Sequence, residues 1–274
     1  MRHGPGRIRR RFAAVAARGR AALVPFLMAG DPDLEVTRAL VLAAAEAGAD
    51  VVELGVPFSD PTADGPVLQR SAARALAAGT SLPRVLELVA TLRRDGLELP
   101  IVLFGYYNPI FHYGPARLAA DARAAGVDGL LVVDLPPEEA EELWRPARQE
   151  RLDTIFLLAP TSGPDRVAAV LRRATGFVYY VSMTGVTGSR PIAPGDVRPQ
   201  VEALRGRCRL PIGVGFGIAS PEAARAVAAF ADAVIVGSAV MRLVETRRGA
   251  GDTVAEVGTF LRTLVRAVAE ARAV

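Results

Sequence analysis

The sequence predicts an α/β protein, a (β/α)8 TIM barrel with an additional N-terminal helix ahead of its first strand. Three observations point there. Eight short apolar runs recur along the 274 residues with helix-forming stretches between them, the alternation from which parallel sheets are built. The runs are nearly all apolar rather than alternating, which is how a strand reads when both of its faces are covered. No linker or shift of composition divides the chain, so residues 1–274 read as one barrel domain, with residues 1–7 expected to be flexible. A doubly wound open sheet would show the same alternation, but about eight strand–helix units in one chain favour closure.

Taken in order, the strand segments are Ala22–Met28, Asp50–Leu54, Ile101–Phe104, Gly129–Val133, Thr154–Leu158, Phe177–Val181, Pro211–Val214 and Ala233–Val236. Between them, Leu34–Ala47, Arg84–Arg94, Ala116–Ala125, Arg166–Arg173 and Pro221–Phe230 are rich in Ala, Leu and Arg, which favour helix. Asp33, Ser81 and Ser220 stand where N-caps belong, with Pro83 and Pro221 just inside. Gly48, Gly126 and Gly176 follow helices where a left-handed cap is expected. Pro146 interrupts the helical pattern Glu138–Glu150, and a break near Arg145 is expected there.

Composition excludes several classes. Hydrophobic residues make up 51% and charged residues 23%, enough apolar material for a large core and an ordinary charge content. The net charge is +4 and every basic side chain is Arg, with no Lys. Only Arg7, Arg9, Arg10 and Arg11 cluster. The other arginines lie near acids with no interleaved aromatics, so they read as solvated helix faces rather than a nucleic-acid surface. No run approaches the roughly 20 apolar residues of a membrane span. Cys208 is the only cysteine, which excludes an intramolecular disulfide, and His3 and His112 are too few and too far apart for a metal cluster. The Arg-rich start faintly resembles a transit peptide, but Ala21–Ala29 is needed as the first strand. A cytoplasmic enzyme is the simpler reading.

Barrel chemistry belongs to the carboxyl ends of the strands and the loops that follow. Glu53 ends the second strand, on the same side as Val51. A carboxyl group there is partly desolvated, which raises its pKa and suits it to hold and release a proton near neutrality. The long loop after it carries Asp60 and Asp64, each either a chemical group or a turn-former. The run Gly213-Val214-Gly215-Phe216-Gly217 lacks the spacing of a dinucleotide fingerprint, and Asp232 begins the next strand instead of ending it.

Five segments in order give a more specific indication. They are Val24-Pro25-Phe26 with Ala29-Gly30-Asp31-Pro32; Glu53 to Pro61 with Ala63-Asp64-Gly65-Pro66; Gly176 to Ser182 with Thr184-Gly185-Val186-Thr187-Gly188; Gly215-Phe216-Gly217-Ile218; and Gly237-Ser238-Ala239. Together they resemble the tryptophan synthase alpha chain family from about Ile8 to the last helix. The resemblance implies a lyase that reversibly cleaves indole-3-glycerol phosphate to indole and glyceraldehyde 3-phosphate. It implies that Glu53 is the main acid–base group, Asp64 its partner at the ring N–H, and Tyr179 a pocket residue beside them. It carries over Gly188, Gly217, Gly237 and Ser238 as the phosphate cradle, where glycines and helix starts offer main-chain N–H groups. Phe26, Phe104 and Leu131, at strand ends, are candidate indole-pocket walls and equally good core. Asp134 is a further position near the pocket, or a loop anchor. Thr62 departs from the aliphatic residue commoner at its place, and the loop after Gly188 is rich in proline.

The resemblance further implies no cofactor in this chain and a tryptophan synthase beta chain as partner, carrying pyridoxal phosphate, in an alpha2beta2 complex. The loop Tyr106-Tyr107-Asn108-Pro109-Ile110-Phe111, aromatic and apolar where a solvated loop would be polar, fits that interface. Two alternatives remain: another phosphate-binding barrel enzyme, or a catalytically weak regulatory subunit. The relative that closes the indole ring uses a Lys, which this chain lacks; intact Glu53 and Asp64 oppose the second.

Overall fold

A computed structural model describes residues 6–181, 194–215 and 217–272. In chain order the elements are α1 (Arg7–Ala17), β1 (Ala22–Met28), α2 (Leu34–Ala47), β2 (Val52–Gly55), α3 (Pro66–Ala77), α4 (Leu82–Arg94), β3 (Ile101–Gly105), α5 (Tyr107–Tyr113), α6 (Pro115–Ala125) and β4 (Gly129–Val132). They continue with α7 (Glu141–Gln149), β5 (Asp153–Leu158), α8 (Pro164–Arg173), β6 (Val178–Val181), α9 (Pro194–Arg205), β7 (Ile212–Gly215), α10 (Pro221–Ala228), β8 (Ala233–Val236), α11 (Ser238–Arg247) and α12 (Thr253–Glu270). The eight strands pair in sequence order into a closed barrel, with β1 and β8 in parallel register from Ala22↔Ala233 to Pro25↔Val236. The predicted (β/α)8 architecture and its extra N-terminal helix are both present.

Two apolar layers hold it together. Inside the barrel, Ala22, Val24, Val51, Val102, Leu131, Ile155, Phe177, Tyr179, Ala233 and Ile235 pack in one cluster, and α1 contributes Ile8, Phe12 and Val15 to it. Helix α1 therefore plugs the amino-terminal mouth, with the Phe12 and Phe177 rings 5.5 Å apart. The opposite strand faces pack against the surrounding helices in a second, larger cluster. At three strand entrances an aspartate accepts the N–H of a residue in the preceding strand: Asp50 from Leu23, Asp128 from Ile101 and Asp232 from Ile212. Each is also paired with an arginine, respectively Arg20, Arg93 and Arg205. A charge placed there fixes strand register at a point where an apolar contact would tolerate slippage.

Local signals acted where chemistry required them to. Helices α3, α6, α8 and α10 begin on a proline, and α4 has Pro83 at its second position, where the missing N–H costs nothing. Asp33 and Ser220 cap through their side chains, whereas Ser81 occupies the N-cap without a side-chain bond. Gly48 and Gly126 are left-handed caps.

Of the residues expected to be flexible, 1–5 lie outside the described residues, and Arg7 starts α1 and donates to Asp128 and Glu98. Three expectations need correction. Gly176 has a positive φ of 72° yet lies beyond the extended C-cap Ala174, so it turns the chain toward β6 rather than capping α8. Pro146 does not break its helix. Helix α7 starts at Glu141, which places the proline in the second turn, and the carbonyl it leaves unpaired belongs to exposed Glu142, within reach of water. Finally, Tyr107 to Phe111 form no loop but most of helix α5.

Candidate active site

At the carboxyl end of the barrel, β2 sets Glu53 in register with Phe26 of β1 and Val102 of β3. Alternation along the strand sends Val51 and Glu53 inward, and Glu53 is only 1% exposed. Among the described residues its Oε1 has no hydrogen-bond partner. Burial alone, with no compensating cation, pushes its carboxyl up to about 8. An ion-paired structural glutamate would show the opposite, so the geometry leaves a proton-holding carboxyl facing the barrel mouth.

Asp64 arrives from the other direction, at the end of the loop between β2 and α3. It is 7% exposed, and burial pushes it up to about 6 against a lowering hydrogen bond from Tyr106. Its place is held from both sides: Gln69 of α3 donates Nε2 to the Asp64 carbonyl at 2.9 Å, and the Ala63 N–H donates to the Tyr106 hydroxyl at 3.0 Å. Tyr179, buried in β6, is driven well above the ordinary phenol value by burial first and then by the charges of Glu53 and Asp64. The three side chains thus share one electrostatic environment. Asp60 does not join them; it is exposed, and its carboxylate accepts the Ser59 hydroxyl at 2.5 Å. Thr62 is also exposed, with its N–H bonded to the Asp60 carbonyl, so its departure from an aliphatic residue touches no ring contact of the buried face.

The expected apolar walls are all in the barrel. Phe26 and half-buried Phe104 meet edge to face with centroids 5.1 Å apart, and Leu131 is fully buried in the interior cluster with Tyr179. Gly215, the last residue of β7, admits Tyr179: a Cβ there would overlap its hydroxyl. Of the anticipated cradle, Gly188 lies outside the described residues, as do Gly185 and Arg190. Gly217 is exposed at φ +74°, a conformation that excludes most side chains. Gly237 is the N-cap of α11 and brings no capping side chain, and exposed Ser238 is that helix's first residue. The first-turn N–H groups of α11 therefore point at the same end of the barrel, where an anion is favoured.

Sequence reasoning missed Tyr106, which it assigned to an interface. The ring is buried, stacks on Phe58 at 5.5 Å, and bonds Asp64. Its place directly after the carboxyl end of β3 was the signal for a site residue. Asp134 anchors: its Oδ1 accepts the Tyr107 N–H at 2.7 Å, at the start of α5.

Comparison with known proteins agrees with this geometry. A model of the family described as tryptophan synthase alpha chain matches residues 12–269. A tryptophan synthase alpha chain from Geobacter sp. (strain M21) is 55% identical over 262 residues, covering 96% of this chain and 97% of the relative. Another, from Gluconacetobacter diazotrophicus, is 51% identical over 271 residues, covering 97% and 99%. Among solved structures, the tryptophan synthase subunit alpha of Legionella pneumophila str. Paris superimposes with a TM-score of 0.92 at 38% identity, covering 97% of this chain and 100% of that one.

Proposed function

The chain belongs to the tryptophan synthase alpha chain family, and we propose that it cleaves the carbon–carbon bond of indole-3-glycerol phosphate with Glu53 and Asp64 as its working carboxyl groups. It is a lyase of tryptophan synthesis, and the reaction is a reversible retro-aldol step giving indole and glyceraldehyde 3-phosphate. One observation carries the assignment of roles. Two buried carboxyl groups at one barrel mouth are driven to opposite sides of neutrality, Glu53 to about 8 and Asp64 to about 6. Such a separation supports reading Glu53 as the acid and Asp64 as the charged partner.

At pH 7 Glu53 holds its proton and can deliver it to the indole carbon that bears the side chain. That carbon becomes tetrahedral and the ring nitrogen positive. The ionised Asp64 accepts the ring N–H and stabilises this charge. Loss of the proton from the adjacent glycerol hydroxyl then forms the aldehyde carbonyl, the carbon–carbon bond breaks, and its electron pair restores the aromatic ring. Glu53, now a carboxylate, takes the hydroxyl proton and is ready again, so the protons balance without a cofactor in this chain. Phe26, Phe104, Leu131 and Tyr179 would enclose the ring. Gly188, Gly217, Gly237 and Ser238 would hold the phosphate through main-chain N–H groups.

We further propose that the indole passes to a beta chain carrying pyridoxal phosphate in an alpha2beta2 complex. Helix α5 supports the docking face, since Phe111 is 56% exposed and Asn108 is exposed beside it, while Tyr106 and Ile110 turn inward. The test is indole release from indole-3-glycerol phosphate by the purified chain, alone and with a cognate beta chain. Glu53→Gln should lower the rate by at least about 10²-fold and Asp64→Asn should also cripple it. A Glu53→Gln enzyme keeping more than a tenth of the rate overturns the assignment.

A further inference from the structure

A set of paired charges around buried Asp31, which the reaction does not use, ties two helices to a loop above the barrel. Asp31, in the turn after β1, is 0% exposed. Its carboxylate accepts the Ser71 hydroxyl and, from Arg74, both Nε at 2.8 Å and Nη2 at 2.7 Å; Ser71 and Arg74 both lie on α3. The remaining Nη1 of Arg74 donates at 2.8 Å to Glu245 on α11. Arg70, one turn earlier on α3, donates Nε and Nη2 to the two Glu245 oxygens, each at 2.8 Å. One arginine therefore bridges the β1 turn and α11, and α3 lies between them.

Each end of this relay leads to the site. Helix α3 starts two residues after Asp64, and its Gln69 holds the Asp64 carbonyl. Helix α11 starts at Ser238. We propose that Asp31, Arg74 and Glu245 are positioning residues for Asp64, pinning α3 so that its loop keeps that carboxylate buried at the barrel mouth in fixed relation to the first turn of α11. The proposal rests on the role given to Asp64 above. An apolar contact would let α3 slide by a fraction of a turn, whereas a two-pronged guanidinium–carboxylate pair admits one placement. A carboxylate as deeply buried as Asp31 is tolerated only when fully paired, so moving α3 breaks the whole set. From the neighbouring elements, Tyr106, before α5, acts on Asp64 through a hydrogen bond, while Asp64 and Glu53 on β2 act on Tyr179 of β6. None belongs to the relay, so the relay acts on Asp64 only by placing it.

The test uses the full chain and two readouts. Carbon-13 NMR titration follows the Asp64 carboxyl without requiring activity. Indole release gives kcat and KM. If Arg74→Met lets the loop lift, water reaches Asp64 and its midpoint falls by about half a unit or more toward the ordinary carboxylate value, while kcat drops about tenfold. Glu245→Gln weakens only the α11 leg by removing its charge, keeps the Arg74–Asp31 pair and should move both readouts in the same direction by less. This second variant keeps the question open to test if Arg74→Met fails to fold. Arg74→Lys, which keeps the charge but not the fork, should recover part of the loss. Calorimetric affinity for glycerol 3-phosphate should stay within about twofold, because β1 and α12 hold α11 independently. A lower Tm with the Asp64 midpoint and kcat unchanged would overturn the proposal, and so would a loss of glycerol phosphate affinity equal to the loss of kcat. A wild-type chain that releases no indole would instead reject the proposed function, and the titration would still decide the relay.

Discussion

Glu53 and Asp64 carry the same functional group, and only the manner of their burial separates them. Among the described residues Glu53 has no donor at Oε1, and it rises to about 8; Asp64 has Tyr106 and stops at about 6. The active form needs Asp64 ionised and Glu53 protonated, so kcat/KM for indole release should be bell-shaped, falling below pH about 6 and above about 8. A flat profile across that range would contradict the assigned roles. Stability must follow the same shifts. Between the ordinary glutamate value and about 8 the native chain keeps a proton on Glu53 that the unfolded chain has released, so this group's contribution is complete at low pH and is lost as pH rises to about 8. Glu53→Gln, which has no proton to lose, should raise Tm at pH 8 by roughly 2–4 °C for each kcal/mol recovered and change it little at pH 4. Thermal melts at the two values check it. The positions of these carboxylates were legible because one lies in a strand and the other in the loop that follows it. That Tyr106 turns inward to Asp64 was not, because a Tyr-Tyr-Asn-Pro run looks the same whether it faces a partner or its own barrel.

At the scale of elements, α11 and α5 make separate claims. Gly237 leaves the first turn of α11 without a side-chain cap, and Ser238 is exposed there. Placing a carboxylate at that position favours the helix itself but repels a phosphate. Ser238→Glu should therefore weaken glycerol 3-phosphate binding by about tenfold or more while Tm holds or rises. Unchanged affinity in calorimetry would remove α11 from the cradle. Gly217→Val is a poorer probe, since φ +74° makes valine strained whatever it does to an anion. On α5, Asn108→Asp with Phe111→Ser should reduce stimulation by a beta chain several-fold and leave the isolated chain's rate unchanged, because neither side chain faces Glu53 or Asp64. Equal loss of both rates in steady-state assays would reject that interface. Helix α5 escaped sequence reading because Pro109 and three aromatics lower its propensity. The Asp134 carboxylate, held at the end of another strand, organises its first turn.

For the molecule as a whole, the proposed site lies at one mouth of a barrel whose other mouth is plugged by α1. Helix α1 closes the amino-terminal mouth with Ile8, Phe12 and Val15, far along the strands from Glu53. Phe12→Ala should cost about 3–5 kcal/mol in denaturant unfolding and leave kcat unchanged once the chain is folded. A matching loss of kcat would mean that the plug also shapes the site. Among the described residues no single helix is long and apolar enough to cross a membrane.

The order of strands and helices was written in the chain itself. Apolar runs of strand length, Pro and Asp at helix starts and Gly at helix ends are local chemistry, and they gave β1, α2 and β8 their observed bounds. Glu53 was readable for the same reason: a strand's alternation and its carboxyl end are properties of a few consecutive residues. What only the tertiary structure decided is whatever depends on groups far apart in sequence. Closure put Tyr179 within electrostatic reach of Glu53 and Asp64, folded Tyr106 back over the loop, and joined Asp31 through Arg74 to Glu245 across more than two hundred residues. Desolvation and ion pairing are properties of surroundings, and a residue acquires its surroundings only when the barrel closes.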